Sequence, residues 1–68
     1  MAIVKVIEVL AQSEKSWDDA ARIALMEARK SVRNIKSIYV ENFQAEVEDD
    51  EIVNYRVNAK VSFLVDGK

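Results

Sequence analysis

The spacing of apolar and polar residues shifts along this 68-residue chain, and each stretch predicts an element. From Ala2 to Leu10 β-branched residues dominate, interrupted by the charges Lys5 and Glu8, which predicts a strand covered on much of both faces. Ala11 to Lys15 is polar and short and reads as a connection. Ser16 followed by Asp19 forms the acidic version of a capping box, so a helix is expected to begin at Trp17. Trp17, Ala20, Ala21, Ala24, Leu25, Ala28 and Val32 recur at spacings of three and four, one apolar stripe whose alanines let the helix lie close on a sheet. Asp18 and Asp19 at its start, and Arg29, Lys30 and Arg33 towards its end, match the helix dipole and carry the predicted helix to about Arg33. Ile23 and Met26 fall beside the stripe, where either a wide core face or a neighbouring subunit has to cover them.

Ser37 to Val47 predicts a second strand, Glu48-Asp49-Asp50-Glu51 its turn, and Ile52 to Val65 a third strand. In the third, Val53, Tyr55, Val57, Ala59, Val61, Phe63 and Val65 share one face while Arg56, Asn58, Lys60 and Ser62 share the other, the period of a half-buried strand. Centring the hairpin on Asp49 and Asp50 pairs Ile38 with Val61 and Val40 with Ala59 on the apolar face. The opposite face then pairs Ser37 with Ser62, Tyr39 with Lys60, Glu41 with Asn58 and Phe43 with Arg56. The predicted fold class is α+β in the order β-α-β-β: a three-stranded antiparallel sheet with one helix packed on one face, residues 1–68 forming a single domain. One helix covers one side of such a sheet, so the side carrying Tyr39 and Phe43 has to meet water, a ligand or another subunit.

Size sharpens that point. A chain this short buries only about 60% of the surface its unfolded form exposes and usually needs a staple. There is no cysteine and no histidine, which removes disulfides and leaves carboxylates as the strong metal ligands. Association with copies of itself is the support that remains. With 50% hydrophobic residues, one glycine and no proline, the chain is expected to fold throughout. Neither a long apolar run nor the marks of a signal peptide are present, and the sequence reads as cytoplasmic, with no membrane partner.

Net charge is −2, the wrong sign for a protein that neutralises phosphates, so nucleic acid is not expected as a partner. The charge is uneven: six of the 12 acids lie between Glu41 and Glu51, while Arg29, Lys30, Arg33 and Lys36 form a basic group. Glu48, Asp49, Asp50 and Glu51 are hard oxygen donors of the kind calcium takes, although their order is not that of a calcium loop and an exposed acidic turn is the simpler account of them. Arg56 can hold a phosphate or carboxylate, or pair across the sheet with Phe43, Glu41 or Glu46. Catalysis lacks its usual parts, with no histidine or cysteine, no phosphate-cradling glycine loop and no serine beside a recognisable base. The expected protein is not an enzyme.

Lys5-Val6-Ile7-Glu8 in the first strand, Ser13-Glu14-Lys15-Ser16-Trp17 at the helix start, Arg33-Asn34-Ile35 at its exit, and Tyr55 with Lys60-Val61-Ser62-Phe63 in the third strand follow one order and spacing. Together they resemble the dodecin family over almost the whole chain. The resemblance implies a hollow homododecamer with helices outside and sheets inside, storing or buffering flavin (riboflavin or FMN) in pairs at subunit interfaces. It also implies a flavin-stacking tryptophan two residues beyond the Asn-Ile pair and a flavin-contacting glutamine just after the third-strand tyrosine. Here those positions hold Ser37 and Arg56. Ser37, Tyr39, Phe43 and Arg56 are the candidates for the cavity face, with Tyr39 and Phe43 as a displaced aromatic platform. The leading expectation is a self-associating, small-ligand-binding protein; the alternative is a structural cage or a calcium-binding assembly that has lost flavin.

Overall fold

The structure, a computed structural model, describes residues 3–65; Ala2, which the pattern assigns to the first strand, lies outside them. Four elements follow in the predicted β-α-β-β order: β1 (Ile3–Ser13), α1 (Trp17–Arg29), β2 (Ile35–Glu48) and β3 (Glu51–Val65). The sheet is antiparallel with the order β1-β3-β2, so the most regularly alternating segment of the sequence is its central strand. Val57, Ala59 and Val61 of β3 are fully buried, and with Ala11, Ala20 and Ala24 they bring α1 close to the sheet. Val9, Ile38 and Val40 close the sides of this small core.

Ser16 caps α1 as expected: its backbone is extended and its hydroxyl accepts from the Asp19 N–H at 3.0 Å. The second half of the box does not form. The Asp19 carboxylate instead accepts from the Ser13 hydroxyl at 2.6 Å and pairs with Arg22 at 3.6 Å. That contact explains why β1 outruns its predicted end. Ser13 is buried because its hydroxyl is satisfied twice, donating to Asp19 and accepting from the Lys15 N–H, and its backbone pairs with Tyr55.

The helix stops earlier than predicted, at Arg29, with Lys30 as its C-cap. The Ser31 and Val32 N–H groups both donate back to Ala28, and Asn34 takes a left-handed backbone (φ 60°) that turns the chain into β2. Asparagine tolerates that conformation at low cost. The Leu64 N–H donates to the Asn34 carbonyl and fixes the corner to β3.

The hairpin turns at Asp49 and Asp50, both with positive φ (52° and 66°), the two-residue pattern that matches strand twist. Its register agrees with the sequence at Ser37–Ser62, Ile38–Val61, Tyr39–Lys60 and Val40–Ala59. It departs from Asn42 to Glu46 and returns at Val47–Ile52 and Glu48–Glu51, after a second shift between Glu46 and Val47. A bulge between Val40 and Asn42 leaves Glu41 unpaired, so Asn42, not Glu41, faces Asn58, and Phe43 pairs with Val57 instead of Arg56. One extra residue in a strand exchanges the two faces for everything that follows.

The single chain is not compact. Its radius of gyration is 14.0 Å, against about 11 Å for a compact domain of this length. Its accessible surface is 5275 Å², where roughly 4,300 Å² is usual for a monomer of this mass. Much of the excess is apolar: Val4, Val6 and Leu10 of β1 are each more than half exposed on the sheet face away from α1. The expected cover on both faces of β1 is missing within one chain.

Candidate functional site

The face of the sheet away from α1 is built by alternation from all three strands. β3 contributes Arg56, Asn58, Lys60 and Ser62, whose neighbours Val57, Ala59 and Val61 point into the core. On the β1 side lie Val4, Val6, Leu10 and Gln12; on the β2 side lie Ser37, Tyr39, Asn42 and Gln44. The result is a surface graded from an apolar edge, through a polar centre, to a lone aromatic ring.

Of the four candidates from the sequence, the structure places three on this face. Ser37 and Ser62 exchange a short hydroxyl hydrogen bond across the strands. Tyr39 stands beside them, paired with Lys60 and 63% exposed, so its ring is free to meet a ligand or another chain. Arg56 lies further along: its Nε and Nη2 donate to the Gln12 Oε1 at 3.2 and 3.1 Å, and Nη2 approaches the Glu46 carboxylate at 4.0 Å. The guanidinium thus bridges both edge strands across the central one. Lys60 pairs with Glu41 at 3.5 Å. These pairs are partly exposed, each worth at most about 1 kcal/mol, so they orient the two cations without locking them away.

Phe43 is the correction. The bulge turns it to the α1 side, where its ring meets Trp17 edge-on at a centroid distance of 6.0 Å. Trp17 also meets Tyr55 edge-on at 4.9 Å and donates its indole N–H to the Gln44 carbonyl at 2.9 Å. Trp17 is therefore the hub of an aromatic cluster at the rim of the core, 36% exposed, where the stripe predicts simple core burial. Among the described residues no second ring joins Tyr39 as a platform, and Arg56 is hydrogen-bonded to Gln12 and ion-paired with Glu46 in place of Phe43.

The pattern contains a signal for the bulge: apolar residues fall on even positions at Ile38 and Val40 and on odd positions at Phe43, Ala45 and Val47. Gln12, the main partner of Arg56, lies in the polar stretch Ala11 to Lys15, which carries no strand signal although β1 runs through it to Ser13.

Ser37 and Arg56 do not meet. Ser37 is level with Ser62, six residues along β3 from Arg56, which is roughly 20 Å at the rise of an extended strand. A single ligand that touches both positions needs a second copy of the chain to supply one of them. The acids Glu48, Asp49, Asp50 and Glu51 are exposed at the hairpin tip. Among the described residues no three acidic side chains converge as a metal site within one chain, and no helix is long and apolar enough to cross a membrane.

The chain matches the family model described as Dodecin over residues 3–66. It is 35% identical over 63 residues to calcium dodecin of Mycobacterium tuberculosis, covering 93% of this chain and 89% of that protein. The crystal structure of that calcium-chelating immunodominant antigen, with its novel calcium-binding site, is similar at TM-score 0.81 and 32% identity, over 97% of this chain and 94% of that one. Dodecin from Streptomyces coelicolor gives TM-score 0.92 at 24% identity over 98% and 96% of the two chains. A variant of T. thermophilus dodecin gives 0.93 at 24% identity over the full length of both. These last two share the fold.

Proposed function

Because the chain belongs to the dodecin family, we propose that it works as a non-enzymatic homo-oligomer, dodecameric as the family resemblance implies, that holds a small ligand between its sheets in the cytoplasm. The observation that carries this reading is the separation of Ser37 from Arg56 along one open face. The two positions that the family pattern assigns to one ligand belong to one ligand only if two chains face each other. The exposed apolar edge of Val4, Val6 and Leu10 on the same face supports that packing.

The ligand differs from the family's usual one. Serine at position 37 offers no ring to stack on, a contribution of about 0.5–1.5 kcal/mol per aromatic pair beyond burial. Arg56 presents a cation already held by Gln12 and Glu46. Tyr39 is the aromatic that this face retains, and with Arg56 and Lys60 it suits a small ring bearing an anionic group. The deciding measurement is solution mass together with riboflavin and FMN titration: an assembly that leaves flavin fluorescence intact supports this reading, and a monomer at micromolar concentration overturns it.

A second reading is favoured by the likeness to calcium dodecin. Glu48, Asp49, Asp50 and Glu51 would bind calcium only where tips from different chains meet, since one chain gathers no such group among its described residues. Calorimetric titration of chelator-stripped protein tests it, and the absence of calcium heat removes it.

A further inference from the structure

We infer that the acidic hairpin arm of one copy docks into a basic cleft of the next copy. The cleft, about 610 Å³, opens between the end of α1 and the start of β2. Its floor is apolar, from Leu25, Val32 and Ile35, and its rim carries Arg29, Arg33 and Lys36. None of these three cations has an ion-pair partner among the described residues.

The arm has the complementary chemistry. β1 ends at the Ser13–Tyr55 pair, and beyond it β2 and β3 continue as a two-stranded ribbon. Such a ribbon is marginal in water without a further surface. At its end Val47 pairs with Ile52, and the two side chains are 58% and 48% exposed. Glu48 pairs directly with Glu51, a like-charge pair that costs stability unless a cation lies nearby. Asp49 and Asp50 add two more negative charges at the turn, and none of the four acids has an ion-pair partner among the described residues. The arm therefore offers an apolar pair backed by four acids, and the cleft an apolar floor rimmed by three cations.

The arm cannot reach its own cleft. Ile35 at the cleft and Glu48 at the tip are opposite ends of one continuous strand, roughly 43 Å apart at the usual rise. The occupant is then a second copy, and an arm-into-cleft contact is heterologous, the type that closes into rings when the rotation allows. This inference rests on the self-association proposed above and specifies one of its contacts.

The test measures assembly mass and dissociation concentration in EDTA, so that no calcium bridges the tips. Glu48→Lys/Glu51→Lys reverses the arm and leaves the Asp49–Asp50 turn intact; Arg29→Glu/Arg33→Glu reverses the cleft; the quadruple variant carries both. Each double variant is expected to raise the dissociation concentration on the order of tenfold, and the quadruple to restore most of it. As a readout independent of those reversals, Glu51→Cys/Arg33→Cys in this cysteine-free chain is expected to give multimers with a short bismaleimide. A wild type that does not self-associate overturns the broader reading as well. A wild type that assembles, with double variants that assemble equally well, overturns the arm contact alone. So does failure of both quadruple rescue and cross-linking, or stoichiometric uptake of a fluorescent fatty acid by the cleft of the intact assembly.

Discussion

The Trp17 indole N–H is hydrogen-bonded to the Gln44 carbonyl at 2.9 Å, joining the first residue of the helix to a strand 27 residues later. The same ring packs edge-on against Phe43 and Tyr55, one from each strand of the hairpin. This is where α1, β2 and β3 are held in register, and its components can be separated by mutation. Trp17→Phe keeps a ring and removes the donor, and is expected to cost about 0.5–1.5 kcal/mol. Trp17→Ala removes both and is expected to cost about 2–3 kcal/mol, less than for a fully buried tryptophan. Urea unfolding at one fixed protein concentration reads both values, because association adds to apparent stability.

The turn offers a change in the opposite direction. Asp49 and Asp50 both occupy the left-handed region, where a residue with a Cβ carries a cost of about 1 kcal/mol that glycine avoids. Asp50→Gly is expected to stabilise the protein by about 0.5–1 kcal/mol. Thermal unfolding compared with Asp50→Ala checks it, the alanine variant being the less stable of the two.

In the core the tolerance is for neither larger nor smaller side chains. Ala20 and Ala24 have no exposed surface, and Val57 is fully buried. Ala24→Leu is expected to push α1 off the sheet at a cost of about 1–3 kcal/mol. Val57→Ala removes two methyl groups and is expected to cost about 2 kcal/mol. Unfolding free energies from urea titration that fall by less than a third of these amounts would show that the helix and sheet are less closely packed than their burial states.

On the open face, Ser37→Trp with Arg56→Gln restores the two residue types whose absence sets this chain apart from the family pattern. The double variant is expected to quench riboflavin fluorescence, and each single variant to do so more weakly. Quenching absent from all three would mean that the lining beyond these two positions, with Val4, Val6 and Leu10 foremost, also differs from a flavin cavity.

The sequence made the central strand and the helix start legible because each rests on a short-range rule. β3 alternates without interruption from Tyr55 to Phe63, and Ser16 sits three residues before the N–H it caps. The helix end was less legible because Val32 extends the apolar spacing past the point where the backbone turns at Asn34. The end of β1 is masked in the sequence because Gln12 and Ser13 are polar, and their places in the sheet depend on Arg56 and Asp19, distant in the chain. Alternation alone places Ser37, Tyr39 and Arg56 on the face away from α1, as the structure has them. It misplaces Phe43, since alternation assumes that no residue is left over.

Glu41 is that residue, and it divides β2 into two frames of opposite parity. The even-numbered Ile38 and Val40 look towards the helix before it, and the odd-numbered Phe43 and Ala45 after it. Val40 and Asn42 already pair with the consecutive residues Ala59 and Asn58, so loss of Glu41 would close the bulge and leave Phe43 under the tryptophan and Gln44 on the open face: the strand carries one residue that its two faces can spare.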